Sequence, residues 1–149
     1  RRSPWTKGVI MKKILVAINT GREGGNDLVL ETADTLAKAM DGELILVHAI
    51  EMIPAYVAAE ISMVVINDRR DEIEAEMAGL AAKCQNATSV VLDGTPANRI
   101  LEYAEEIGAD LIVIHSHDPD LSTYFIGSVA GRIVRHAHCS VHVVREAAD

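Results

Sequence analysis

Five short apolar runs, separated by four helical stripes, constrain this chain more than any other feature in it. The runs are KKILVAI (12–18), LILVHAI (44–50), TSVVLD (88–93), DLIVIHS (110–116) and SVHVVR (140–145). They are rich in β-branched residues and do not alternate apolar with polar, as expected of strands covered on both faces in a parallel sheet. Between them, Val29, Ala33, Leu36, Ala37 and Met40 share one helical face, with Asn26 or Asp27 as its cap and Gly42 just past its end. Ile73, Met77, Leu80, Ala81 and Cys84 form a second stripe. Ala97, Ile100, Leu101 and Ala104 form a third, with Thr95 as cap, Pro96 in the first turn and Gly108 at the end. Ala130, Ile133, Val134 and Ala137 form the fourth. Strands alternating with helices imply parallel strands joined by right-handed crossovers, and hence a doubly wound α/β fold on a five-stranded parallel sheet with helices on both faces. The pattern alone leaves the strand order open. Ligands of such sheets bind outside the carboxyl ends of the strands, where the order reverses.

The 149 residues suffice for one domain with a real core, and 49% apolar with 24% charged residues is a globular balance. We read 11–149 as that domain, and RRSPWTKGVI (1–10), ahead of Met11, as a leader or expression remnant outside the fold. The net charge of −8 argues against nucleic acid or an anionic membrane as the main partner. No apolar run is long enough to span a bilayer. Two cysteines, Cys84 and Cys139, make no disulfide framework and suit a cytoplasmic location. One segment fits the alternation poorly. EMIPAYVAAEISMVV (51–65) is long and apolar for a connection, and reads as a lid, an extra helical turn, a partner surface, or packing over the domain's own edge.

The segment HSHDPDLSTYFIGS (115–128) lies where an α/β domain holds a phosphate, between a strand and a helix. A phosphate requires N–H groups aimed at it, best supplied by a helix start. Gly127 and Ser128 offer these, and Ser122 and Thr123 add hydroxyls. His115 and His117 contribute as cations or neutral N–H donors, whereas Asp118 and Asp120 repel a phosphate unless turned away or holding Mg²⁺. The plainer reading is a capped helix after a polar loop. A metal shared by His115, His117, His136, His138 and Cys139 is excluded within one copy, because a helix of about ten residues separates the two groups by roughly 15 Å. DGTP (93–96) reads as an ordinary strand-to-helix turn. There is no G-x-x-x-x-G-K-[ST] loop, no acid cluster for phosphotransfer and no assignable Ser–His–acid set, so efficient catalysis is not expected.

KKILVAI, VVLDGTPANRILEYAEEIGADLIVIHSH and LSTYFIGSVAGRIVRHAHCSVHVVR together resemble the universal stress protein family in order and spacing across 11–145. The resemblance implies an adenine nucleotide alpha hydrolase-like sheet of order 3-2-1-4-5, with ATP, alone or with Mg²⁺, at the switch point between strands one and four. The family's loop reads G-x-x-G, nine residues, then G-S or G-T. Here His115 and Asp118 stand at the two glycines, and eight residues precede Gly127. The pattern SH-PD-STY--GS is most similar to the F/G-type branch, which also lacks those glycines. Asn19 stands where nucleotide-binding members usually carry Asp. The implied site is Ala17, Asn19, Val47 and Ala49 around the adenine, with His115, His117, Ser122, Thr123, Gly127 and Ser128 around the phosphates. Slow ATP hydrolysis or self-phosphorylation on Ser122, Thr123 or Ser128 is the most catalysis it implies. It further implies a homodimer through Val141, His142, Val143, Val144 and Arg145. The expectation is an ATP-binding regulatory protein of the stress response. The alternative is a nucleotide-free dimeric module in which His115 blocks the phosphate space.

Overall fold

The computed structural model describes residues 12–20, 25–116 and 127–145. In chain order the elements are β1 (Lys12–Ala17), α1 (Asp27–Met40), β2 (Gly42–Ile50), α2 (Ala55–Ala58), α3 (Met63–Ala82), β3 (Ala87–Asp93), α4 (Pro96–Ile107), β4 (Leu111–His115), α5 (Ser128–His136) and β5 (Ser140–Val144). All strand pairs are parallel, and the sheet order is β3-β2-β1-β4-β5. The chain thus leaves β1 in one direction and returns to β4 on its other side, which places the reversal of order between those two strands.

Strand parity divides the core into two layers. Ile14, Val16, Leu44, Leu46 and Val113 pack with α1 and α3 residues Val29, Ala33, Ile73 and Met77 on one face. Leu15, Ile45, Val47, Ile112 and Ile114 pack with α4 and α5 residues Ile100, Ala104, Ala130 and Ile133 on the other. This two-sided burial is why the strand runs do not alternate.

Three local details refine the sequence reading. First, the left-handed residue after α1 is Asp41, at φ 53°, and not a glycine. Gly42 instead opens β2, where a Cβ would stand 3.0 Å from the Lys12 carbonyl oxygen. Second, α4 does end as expected, on Gly108 in the left-handed region at φ 66°. Third, the 51–65 segment contains the short α2 and the start of a long α3, capped by the Ser62 hydroxyl, which accepts from the Val64 N–H at 3.2 Å. The amphipathic stripe begins only at Ile73 because the preceding turns of α3 bury no side chain. Among the described residues no helix is long and apolar enough to cross a membrane.

Candidate functional site

A cleft of about 320 Å³ opens at the carboxyl ends of β1 and β4, the switch point of the sheet. Ala17, Ile18 and Asn19 form its floor, continued by His48 and Ala49 from β2. Ile114 and His115 from β4 form one wall. Pro96 and Ile100 of α4 and residues 127–130 at the start of α5 close the remaining sides.

The floor is held by side chains that bond its backbone. The Ile18 N–H donates to the Val47 carbonyl at 2.9 Å, which extends the sheet one step past β1. The Ile18 carbonyl lies 2.9 Å from His48 Nδ1. A carbonyl only accepts, so Nδ1 carries a proton, and in the neutral ring Nε2 accepts from the Thr20 hydroxyl at 3.2 Å. One residue further, the Asn19 N–H donates to Asn26 Oδ1 at 3.1 Å, and Asn26 Nδ2 donates to the Asn19 carbonyl at 2.6 Å. The Asn26 side chain therefore occupies the place of a neighbouring strand, pairing both backbone polar groups of Asn19. Only 5% of Asn26 is exposed, and it makes no side-chain cap to α1. The role expected for it was that of a local cap, and its observed role is a longer-range latch.

The opposite side of the cleft supplies donors. Gly127, at φ 84° and ψ 155°, turns the chain into α5, and its carbonyl accepts the first helical bond from the Gly131 N–H at 2.9 Å. The N–H groups of Ser128, Val129 and Ala130 precede that bond and have no partner within the helix. They sit in the cleft wall, where an anion gains both their hydrogen bonds and the positive end of the helix dipole.

Of the residues singled out from sequence, Ala17, Asn19, Ala49, His115, Gly127 and Ser128 converge on this cleft. Val47 does not. Its side chain is fully buried two residues deeper on the α4 face, and only its carbonyl serves the floor. His117, Ser122 and Thr123 lie outside the described residues. His115 is half-buried in the wall, with Nε2 shielded from solvent. His48 and Asn26 were not singled out for the site. The signal for His48 was a histidine inside an otherwise apolar strand, whose two nitrogens need partners once covered. The 93–96 turn contributes Pro96 alone, since Asp93 is turned to α3 and meets Arg70 Nη1 at 2.7 Å. That carboxylate holds the Arg70 guanidinium above its already high pKa.

A wider, open groove of about 630 Å³ lies between α4 and α5, away from the strand ends. Four of its polar side chains are already matched to one another: Arg132 Nε donates to Asn98 Oδ1 at 2.6 Å, and His138 Nδ1 lies 2.8 Å from Glu105 Oε1. We assign it to the seam between two helices. Among the described residues no three His, Cys, Asp or Glu side chains are grouped to hold a metal ion.

The model of the universal stress protein family matches residues 11–145. Universal stress protein MJ0531 of Methanocaldococcus jannaschii is 32% identical over 147 residues, covering 92% of this chain and 84% of that protein. Universal stress protein G of Escherichia coli O157:H7 is 46% identical over 52 residues, 35% of this chain and 37% of that protein. Among solved structures, the universal stress protein from Archaeoglobus fulgidus in complex with dAMP aligns with a TM-score of 0.64 at 19% identity, over 91% of this chain and 98% of that one. A universal stress protein in complex with cAMP aligns with a TM-score of 0.56 at 24% identity, over 91% and 97% of the two chains. At these identities the two structures speak for the fold.

Proposed function

This chain belongs to the universal stress protein family, and on that premise we propose that it is a regulatory protein of the stress response that binds an adenine nucleotide in the cleft between β1 and β4. The observation that carries this reading is the pairing of a helix start with unbonded N–H groups and a pre-ordered floor across a cleft of about 320 Å³. That volume lies within the range of small-ligand sites, roughly 300–1,000 Å³. The nucleotide complexes of two proteins of like fold, with dAMP and with cAMP, support the choice of ligand class.

In this reading the phosphates lie over Gly127 and Ser128, and the base lies against Ala17, Ala49 and the Asn19 amide. ATP is the ligand we favour, alone or with Mg²⁺. Asn19 offers both a donor and an acceptor without a charge. Binding shifts a conformational equilibrium and does not drive rapid turnover. Residues 11–149 act as one domain in the cytoplasm, and two copies pair through β5 and Arg145, the strand being an edge of the sheet. Titration calorimetry with ATP, AMP and Mg²⁺ tests the ligand. No heat and no thermal shift at about millimolar ATP, a concentration that detects even weak sites, would remove the reading.

His115 favours a second reading, because it lines the same cleft as the helix start. There the phosphate space is filled and the dimer alone is functional. His115→Gly separates the two: binding by the variant and not by the wild type supports a blocked site.

A further inference from the structure

Between Glu51 and Asp68 the only charged residue is Glu60. Within that stretch Met52, Ile53, Tyr56, Met63, Val64 and Val65 are exposed, Met52 and Tyr56 by 80% and 78%. Among the described residues only two other large apolar side chains, Leu28 and Val134, are exposed to such a degree, each alone on a different helix. Scattered apolar residues need no explanation, but a contiguous group of this size does. The fold does not supply one. The first buried side chain of α3 is Ile73, so the turns from Met63 onward run past the core without anchoring to it. A helix segment of that length is marginal in water by itself and gains its stability from packing.

We propose that this strip, Met52 through Val65, is a self-association surface that packs against the same strip of a second copy across a two-fold axis. Two observations favour a copy of this chain. Six side chains so exposed present on the order of 600 Å², close to the roughly 800 Å² each partner gives to a stable interface. The rim carries both signs next to each other, with Asp68 and Arg69 both exposed, so an antiparallel copy sets unlike charges together. An isologous patch also closes on itself and does not propagate. The strip contains no Lys or Arg, and the chain's charge of −8 opposes an anionic lipid surface.

The surface is separate from the β5 edge. It continues from the carboxyl end of β2, beside β3, at the other side of the sheet. It stands whether or not the cleft binds nucleotide. Sedimentation velocity of the full chain from about 1 to 100 µM, a range spanning typical weak to moderate dimers, tests it. Tyr56→Glu with Val64→Glu should halve the mass of the largest wild-type species while far-UV circular dichroism is unchanged. Adding Val143→Glu distinguishes any pairing through β5, because the two effects then combine. An unchanged mass distribution in the strip variant overturns the proposal, whatever other proteins the strip captures. Hydrogen exchange of the wild type needs no variant: amides of 52–66 should gain protection as concentration rises, and concentration-independent exchange there overturns it equally.

Discussion

Asn26→Asp puts the floor of the cleft to a test in which two arguments predict opposite signs. Judged as a helix cap, the change is neutral or favourable. Asp and Asn cap about equally well, and a negative charge in the first turn adds roughly 0.3–1 kcal/mol. Judged as a latch, it is unfavourable. The introduced carboxylate can still accept from the Asn19 N–H, but it cannot donate to the Asn19 carbonyl now bonded at 2.6 Å. A carbonyl left without its donor costs about 1–3 kcal/mol, and desolvating a carboxylate at a site only 5% exposed adds to that. The dipole returns a part, leaving a loss of about 2 kcal/mol. With a urea slope of roughly 1–3 kcal/mol/M, the midpoint should fall by about 1 M at unchanged slope. The sign with pH follows. Protonated, the new carboxyl becomes a donor to the Asn19 carbonyl, so its folded-state pKa is raised. The deficit relative to wild type is full above that pKa and shrinks as pH falls through it. A variant at least as stable as wild type at pH 7 would refute the latch and restore Asn26 to the role of a plain cap.

Other consequences of the site are testable in the same way. Gly127→Ala places a Cβ at φ 84°, ψ 155°, a region almost reserved for glycine, and should cost about 1–3 kcal/mol in urea unfolding and weaken any anion bound at the α5 start. His48→Phe keeps the ring's bulk and removes both nitrogen bonds, to the Ile18 carbonyl and the Thr20 hydroxyl. It should cost about 1–3 kcal/mol and lower nucleotide affinity in calorimetry, since the floor loses one of its two ties. Burial raises the thiol pKa of both Cys84 and Cys139. Alkylation of the native protein should therefore lag that of the urea-unfolded chain at pH 8. The corresponding stability is complete below the unfolded thiol pKa of about 8.5 and is lost as pH rises through the higher folded values, which an alkaline unfolding series would record.

Much of the fold was legible because burial on both faces leaves a uniform strand and helix packing leaves a stripe. Those two patterns located every strand to within two residues, from the expected 44–50 against Gly42–Ile50 to 140–145 against Ser140–Val144. They say nothing about which strand lies beside which, and the order came from the family resemblance. The early start of α3 escaped the pattern for a physical reason. Residues 63–66 are consecutively apolar and unburied, so they form no face. At the site, the residues at strand ends were readable from position alone, while depth along the strand decided the exception. Val47 shares the α4 layer with Ala49, which lines the cleft, but lies two residues deeper. Asn26 was misjudged because a polar residue before a helix is nearly always explained locally. Its partner is the backbone seven residues earlier, and nothing in the residue order marks that bond.

The way Asn19 is held has an implication for how such a protein could change. Its backbone is kept in place by Asn26, while among the described residues its own amide makes no hydrogen bond. Shape at this position is thus supplied by one residue and chemistry by another. A substitution at Asn19 can alter what the cleft accepts with little effect on whether the chain folds, because the conformation there is not its responsibility. Ligand preference can drift by single replacements at position 19 over an unchanged frame. Replacements at position 26 have no such freedom.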